Sequence, residues 1–262
     1  FGFHPLCYGK TEDGSFVVAS ETCALDSVGA ELIRDIEPGE IVVFSKDGVK
    51  SLKDHCGKSP KRSCIFEYIY FARPDSVIDG VSVHGARLKA GHCLALSHPA
   101  DADIVIGVPD SGIAHAIGYA QRSGVPFTRP LIKYTPTWPR SFTPRDQGQR
   151  NLIARMKLIP VDELVRGRRL LFIDDSIVRG TQLKETADFL YRNGAEQVHV
   201  RPACPPIMFS CKYINFSRST SPMELITRRI IQEIEGRCDD ELAYQYADDT
   251  GEKYQGLVNC MR

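Results

Sequence analysis

Leu170-Leu171-Phe172-Ile173-Asp174-Asp175-Ser176-Ile177-Val178-Arg179-Gly180-Thr181 is the stretch from which the chain is best read. Four bulky apolar residues in succession suit a parallel strand buried on both faces, and two adjacent carboxylates then end it. A loop must begin at Asp174. Small and flexible residues follow where backbone NH groups would face a ligand, and a helical pattern runs from Gln182 through Leu190. Strand, loop and helix in this order place an anion at a helix N-terminus, where unpaired NH groups and the helix dipole favour phosphate. Asp174 and Asp175 repel phosphate itself. They suit the paired hydroxyls of a sugar, or a divalent cation that takes hard oxygen ligands. The plainer alternative is two acids that close a strand and cap the next helix.

Working outward, Asp103 to Val108 reads as a second buried strand, followed by Pro109-Asp110-Ser111-Gly112 and a helix from Ile113 to Ser123. Such a small-residue turn lets NH groups approach pyrophosphate closely, although Asp110 or Ser111 could equally be a simple helix cap. On the other side, Gly194 and Ala195 turn into a strand from Val198 to Arg201. Strands alternating with helices at this spacing predict an α/β fold, a parallel sheet flanked by helices, with ligand loops at the C-terminal ends of the strands. Leu131 to Lys133 looks like a strand end. Tyr134 to Pro144 then carries three prolines and no period, which suits a functional lid. Met223 to Ile234 is an amphipathic helix. The acidic, polar segment beyond Cys238, as far as Gly251, has no assignment.

The first 59 residues read as short strands and turns, with strands at Phe16 to Ala19 and Glu40 to Phe44 and a hairpin turn at Lys46-Asp47-Gly48. A helix is expected from Ala24 to Ile33. Lys58 to Arg62 is a basic linker, so the expected division is 1–60 and 61–262. Alternation and aromatic content predict a strand over Ile65 to Phe71, ended by Pro74. A helix from His84 to Gly91 carries Arg87 and Lys89: either could face phosphate, and a solvated face suits Lys89 better.

Lysine plus arginine balances aspartate plus glutamate at 33 each, so no global field favours nucleic acid or an anionic membrane, and a small polar ligand is expected. No apolar run approaches the roughly 20 residues that span a bilayer. With no signal-peptide pattern, the expected location is the cytoplasm. Nine cysteines are widely spaced without a Cys-x-x-Cys pair, and most are expected to be buried thiols. The first residue is phenylalanine, and a fragment cut at both ends is expected.

The string Asp174 to Thr181 resembles the phosphoribosyl pyrophosphate (PRPP) loop of type I phosphoribosyltransferases. Pro5 to Lys10, Ser20 to Asp26, Arg34 to Glu40, Cys64 to Ser76, Arg201 to Pro206, Cys211 to Phe216 and Glu224 to Ile226 resemble the glutamine PRPP amidotransferases. The resemblance implies a type I phosphoribosyltransferase fold over residues 61–262, preceded by a remnant of an N-terminal nucleophile (Ntn) glutaminase α+β domain over 1–60. It implies that ammonia from glutamine displaces pyrophosphate from PRPP to give 5-phosphoribosylamine, opening purine biosynthesis. Asp174 and Asp175 would fix the ribose, with Lys133 and Arg140 on the pyrophosphate. Ser176, Ile177, Val178, Arg179, Gly180 and Thr181 would hold the 5-phosphate, and Asp110, Ser111 and Gly112 the pyrophosphate. Mg²⁺ would be touched by Asp174, Asp175 and Ser111. Cys64 and Cys211 match two of the four positions that hold a 4Fe-4S cluster in many family members. Purine nucleotides as inhibitors and a homo-oligomer are typical of the family.

The family pattern has an arginine that is absent ahead of Arg140, with prolines in place of flexible residues. The glutaminase nucleophile of the family is an N-terminal cysteine using its own amine as base. Cys7 and Cys23 lie inside the chain and lack that amine. This chain is therefore expected to bind PRPP without hydrolysing glutamine. Two other readings are a nucleobase phosphoribosyltransferase and a PRPP-sensing regulator that has lost catalysis.

Overall fold

In the computed structural model, which describes residues 1–133, 158–211, 213, 221–248 and 250–261, the chain divides into two units, Phe1–Lys89 and Ala90–Arg262. The first unit is antiparallel. Strands β1 (Cys7–Lys10), β2 (Phe16–Ala19) and β3 (Glu31–Asp35) form a sheet in the order β2-β1-β3, covered by the helix α1 (Thr22–Ser27) between β2 and β3. Cys7 and Leu25 are buried together beneath it. The helix is shorter than Ala24 to Ile33: Gly29 takes a left-handed φ of 67°, Ala30 NH donates back to Leu25 O at 3.0 Å, and Leu32 and Ile33 pass into β3. The hairpin of β4 (Ile41–Ser45) and β5 (Gly48–Leu52) turns at Lys46-Asp47 as expected.

The strand expected over Ile65 to Phe71 is instead a helical segment, which widens to a π turn over Glu67–Phe71 with Ala72 NH donating to Glu67 O at 3.0 Å. A side chain distant in sequence explains the difference. Arg87 is buried and donates from Nε to Tyr68 O at 2.7 Å and from Nη2 to Ala72 O at 2.8 Å, satisfying carbonyls that a helix end leaves open. Aromatic alternation therefore mimicked a strand while tertiary hydrogen bonding selected a helix. Arg87 is committed to this brace and does not serve as a phosphate ligand. Lys89 is exposed as expected. Two short strands, β6 (Val77–Ile78) and β7 (Val81–Ser82), lead into α2 (Val83–Ser97).

The second unit is built on β8 (Ile104–Gly107), followed by α3 (Ile113–Ser123). The antiparallel pair β9 (Leu131–Lys133) and β10 (Leu158–Pro160) comes next, then α4 (Asp162–Val165), β11 (Arg169–Asp174), α5 (Thr181–Arg192) and β12 (Gln197–Pro202). Strand β11 lies between β12 and β8 and pairs with both in parallel, with Leu170 opposite Val198 and Ile104. Period-two alternation sends its side chains to two cores. Leu170 and Phe172 pack with Ile104, Ile106 and Leu190 of α5, while Leu171 and Ile173 pack with Val105 and with Ala116 and Tyr119 of α3. Burying each such side chain stabilises the fold by roughly 1.5–3 kcal/mol. The sheet is thus covered on both faces, as the uninterrupted apolar run required.

Beyond it, a short 3₁₀ turn at Pro222–Glu224 precedes α6 (Ile226–Glu235), so the helix expected from Met223 begins three residues later. The segment without assignment forms α7 (Asp240–Tyr246), and α8 (Glu252–Cys260) follows it. Asp239 caps α7 by accepting from Leu242 NH at 2.8 Å, and Met208, Ile231, Leu242, Tyr246 and Leu257 form a third core.

Candidate functional site

Both sequence-predicted loops leave the C-terminal ends of neighbouring parallel strands. The loop Val108 to Gly112 joins β8 to α3, and Asp175 to Gly180 joins β11 to α5. Val108 NH donates to Ile173 O at 2.9 Å, tying the start of the first loop to the end of the neighbouring strand. Gly112 lies so close that a Cβ there would stand 2.3 Å from Ile173 O and 2.7 Å from Val108 N. Only a residue without a side chain permits this approach. Asp110 is exposed, Ser111 is partly buried, and the Pro109–Asp110 peptide bond is cis.

Asp174 is half-buried and Asp175 buried. Asp174 Oδ1 accepts from Asp175 NH at 2.8 Å, and Ser176 Oγ donates to Asp175 Oδ1 at 2.6 Å. Burial, and then the charge of Asp175, pushes the Asp174 carboxyl up to about 7. A pair in this state gains from donors or cations brought to it: sugar hydroxyls, or a divalent ion. The donor set fits Mg²⁺, which binds through one or two carboxylates together with substrate phosphates. Among the described residues no group of three or more His, Cys, Asp or Glu side chains is arranged as a self-sufficient metal site.

The remainder of the loop presents main chain. Ser176, Ile177, Val178, Gly180 and Thr181 donate their NH groups to no acceptor among the described residues. Gly180 is left-handed, with φ 75°, at the N-cap of α5, where the helix dipole adds to those donors. The side chain of Ile177 is buried and lines a cavity of about 390 Å³ with Cys204, Arg201 and residues of α2 and α8, so its contribution to the loop is its main chain. Thr181 and Arg179 are exposed.

Lys133 ends β9, its backbone pairing with Leu158. Arg140 and the lid Tyr134 to Pro144 lie outside the described residues. Cys64 is partly buried in the first unit and Cys211 exposed in the second. Two thiols fall short of the four that a 4Fe-4S cluster needs, and the described residues do not fit one. Burial pushes the Cys7 thiol up to about 11, which leaves little thiolate for nucleophilic attack.

Sequence reasoning missed the support of the loop. Glu224 pairs with Arg179 at 2.6 Å, Ile226 NH donates to Val178 O at 2.9 Å, and Arg229 donates to Arg179 O. Ala203 NH and Cys204 NH bond the carbonyls of Asp174 and Asp175 at 2.9 and 2.8 Å. The sequence hint was confined to the short string Glu224-Leu225-Ile226, which matched family members without showing what it touched.

No family model matches the chain. It is 48% identical over 236 residues, 90% of its length, to the amidophosphoribosyltransferase of Mycobacterium tuberculosis, of which it spans 44%. It is 44% identical over 264 aligned positions, its whole length, to that of Archaeoglobus fulgidus, of which it spans 55%. A solved structure of glutamine PRPP amidotransferase from B. subtilis, complexed with ADP and GMP, is 40% identical with a TM-score of 0.77, over 96% of this chain and 56% of the other. The chain thus spans about half the length of the curated relatives it matches. The likeness shows the fold, and it shows that the chain is homologous to part of the amidophosphoribosyltransferases.

Proposed function

We propose that this chain, homologous to about half of an amidophosphoribosyltransferase, forms 5-phosphoribosylamine from PRPP and ammonia, the step that opens purine biosynthesis. One observation carries the reading. Paired carboxylates and a run of unsatisfied NH groups share one loop, beside a second loop bonded to the same strand end. In this reading the NH groups of Ser176 to Thr181 hold the 5-phosphate. Asp174 and Asp175 accept from the ribose hydroxyls, and their negative charge favours the positive charge that develops at C1. The ammonia nitrogen forms a bond to C1 as the C1–O bond breaks, the electron pair leaves with pyrophosphate, and the new ammonium loses a proton to water. The loop Asp110 to Gly112, with Lys133 and Arg140, receives the pyrophosphate; the Gly112 NH itself is given to Val108 O at 2.9 Å, which holds the turn in shape. Mg²⁺, when bound to the substrate phosphates and the carboxylates, supplies further neutralisation of the leaving group.

Residues 1–60 are read as the glutaminase remnant, supported by the five strands β1 to β5, which lie between Cys7 and Leu52 and pair antiparallel. We assign ammonia to the purified chain as its nitrogen donor, and glutamine to the longer protein. Purine nucleotides are proposed as inhibitors because a homologous structure holds ADP and GMP. A homo-oligomer is proposed from the same homology. No helix among the described residues is long and apolar enough to cross a membrane, and nine free cysteines suit the reducing cytoplasm.

The test is PRPP-dependent pyrophosphate release with Mg²⁺ and an ammonium salt. Release is expected from the chain and a loss of 100-fold or more in Asp174→Asn, on the order of an electrostatic contribution of 3 kcal/mol. Release that ignores ammonia or survives Asp174→Asn would overturn the assignment.

A further inference from the structure

The loop that presents the unsatisfied NH groups is gripped from outside by one short segment, Glu224 to Arg229. Ile226 NH donates to Val178 O at 2.9 Å, and the Arg229 guanidinium donates to Arg179 O. These are successive carbonyls. In a trans peptide the C=O and the following N–H point in opposite directions, so a carbonyl held toward α6 turns the next NH away from it. The NH groups of Arg179 and Gly180 are therefore both aimed to the side opposite α6. The Ile226 side chain completes the grip. A Cβ on Gly180 would stand 2.5 Å from its Cδ1, so the ring of contacts closes against the one residue that must be left-handed. The Glu224–Arg179 ion pair at 2.6 Å draws the Arg179 side chain to the same segment.

We infer that Ile226 and Arg229 are positioning residues for the anion-binding loop, setting its peptide planes so that the Gly180 NH faces the 5-phosphate. Neither touches the ligand. The inference rests on the PRPP reading above and adds to it the device that preorganises the phosphate donors. A loop whose carbonyls are released can rotate its peptides, and each NH that turns away costs an oriented donor to the anion.

Ile226 offers an unusual separation of its two contacts. It is the first residue of α6, where proline is tolerated, and Leu225 before it has ψ 129°, the extended conformation that precedes proline comfortably. Ile226→Pro therefore removes the NH that holds Val178 O while the helix start is kept. Ile226→Ala keeps the NH and removes the side chain. Arg229 is exposed, so Arg229→Met removes the guanidinium without opening a core, and Arg229→Lys returns one donor.

The full chain and these variants are titrated calorimetrically with two probes: ribose 5-phosphate, which engages the gripped loop, and inorganic pyrophosphate with Mg²⁺, which engages the loop after β8. Arg229→Met and Ile226→Pro are expected to weaken ribose 5-phosphate about 10-fold each and leave pyrophosphate within 2-fold. Arg229→Lys is expected to recover part of the loss. Equal weakening of both probes would mean that the segment is merely structural and would overturn the inference, as would unchanged ribose 5-phosphate binding. If the unsubstituted chain bound neither probe, the PRPP reading itself would fall; if it bound both and the variants matched it, the positioning role alone would fall.

Discussion

Val108 NH bonds Ile173 O at 2.9 Å, and Gly112 closes over the same oxygen so tightly that an added Cβ would stand 2.3 Å away. The two candidate ligand loops are thereby registered on a single carbonyl. Gly112→Ala puts a methyl group against backbone that cannot yield, and should destabilise the chain by about 2–3 kcal/mol and abolish pyrophosphate release. Gly256 in α8 is the contrast, with no atom within 4 Å of an added Cβ. Gly256→Ala should stabilise by roughly 0.5–1 kcal/mol through helix propensity. Denaturant midpoints of the two variants check both signs.

The carboxyl of Asp174 is raised to about 7 by burial and by Asp175. A carboxyl whose folded value is raised favours the folded state most below its unfolded value, near 4, and loses that advantage as pH climbs through 7. Asp174→Asn should therefore unfold like the parent at pH 4 and be more stable by ~1–3 kcal/mol at pH 8, without ligand. Urea titrations at the two pH values test this; a variant less stable at pH 8 would contradict it.

Glu40 has the opposite sign. Its carboxylate accepts from both terminal nitrogens of Arg34, at 2.8 and 2.5 Å, and from Ser51 Oγ at 2.5 Å, and the Arg34 hydrogen bonds lower it to about 2. The stability it contributes is present above 4.5 and is lost as pH falls through 2. Glu40→Gln should cost about 1–3 kcal/mol at pH 7 and flatten the acid limb of the stability profile between pH 4.5 and 2. Thermal unfolding across that range is the measurement.

Arg87 braces the helical segment Ile65 to Phe71 through Tyr68 O and Ala72 O. Arg87→Met leaves two carbonyls without their donor and should destabilise by ~2–4 kcal/mol. Pyrophosphate release per folded molecule, measured at low temperature, should stay within 2-fold. A selective rise in the KM for PRPP with unchanged stability would restore Arg87 to the ligand.

The central strand, its two carboxylates and the helix after them were legible in Leu170 to Thr181, because burial on both faces demands an unbroken apolar run and a phosphate loop demands small residues at the next positions. Both are local requirements, written in consecutive residues. The loop at Pro109 to Gly112 was legible for the same reason. The helix at Ile65 to Phe71 was not, since its preference is set by Arg87, and the residues themselves favour a strand. Nor was the support of the candidate anion-binding loop, which comes from Ile226 and Arg229 some fifty residues further on. Local sequence determined which segments form strands, turns and helices around the site; tertiary structure alone decided which peptide planes turn toward a ligand, because a peptide's orientation is fixed by the partner of its carbonyl, and that partner is brought from elsewhere in the chain.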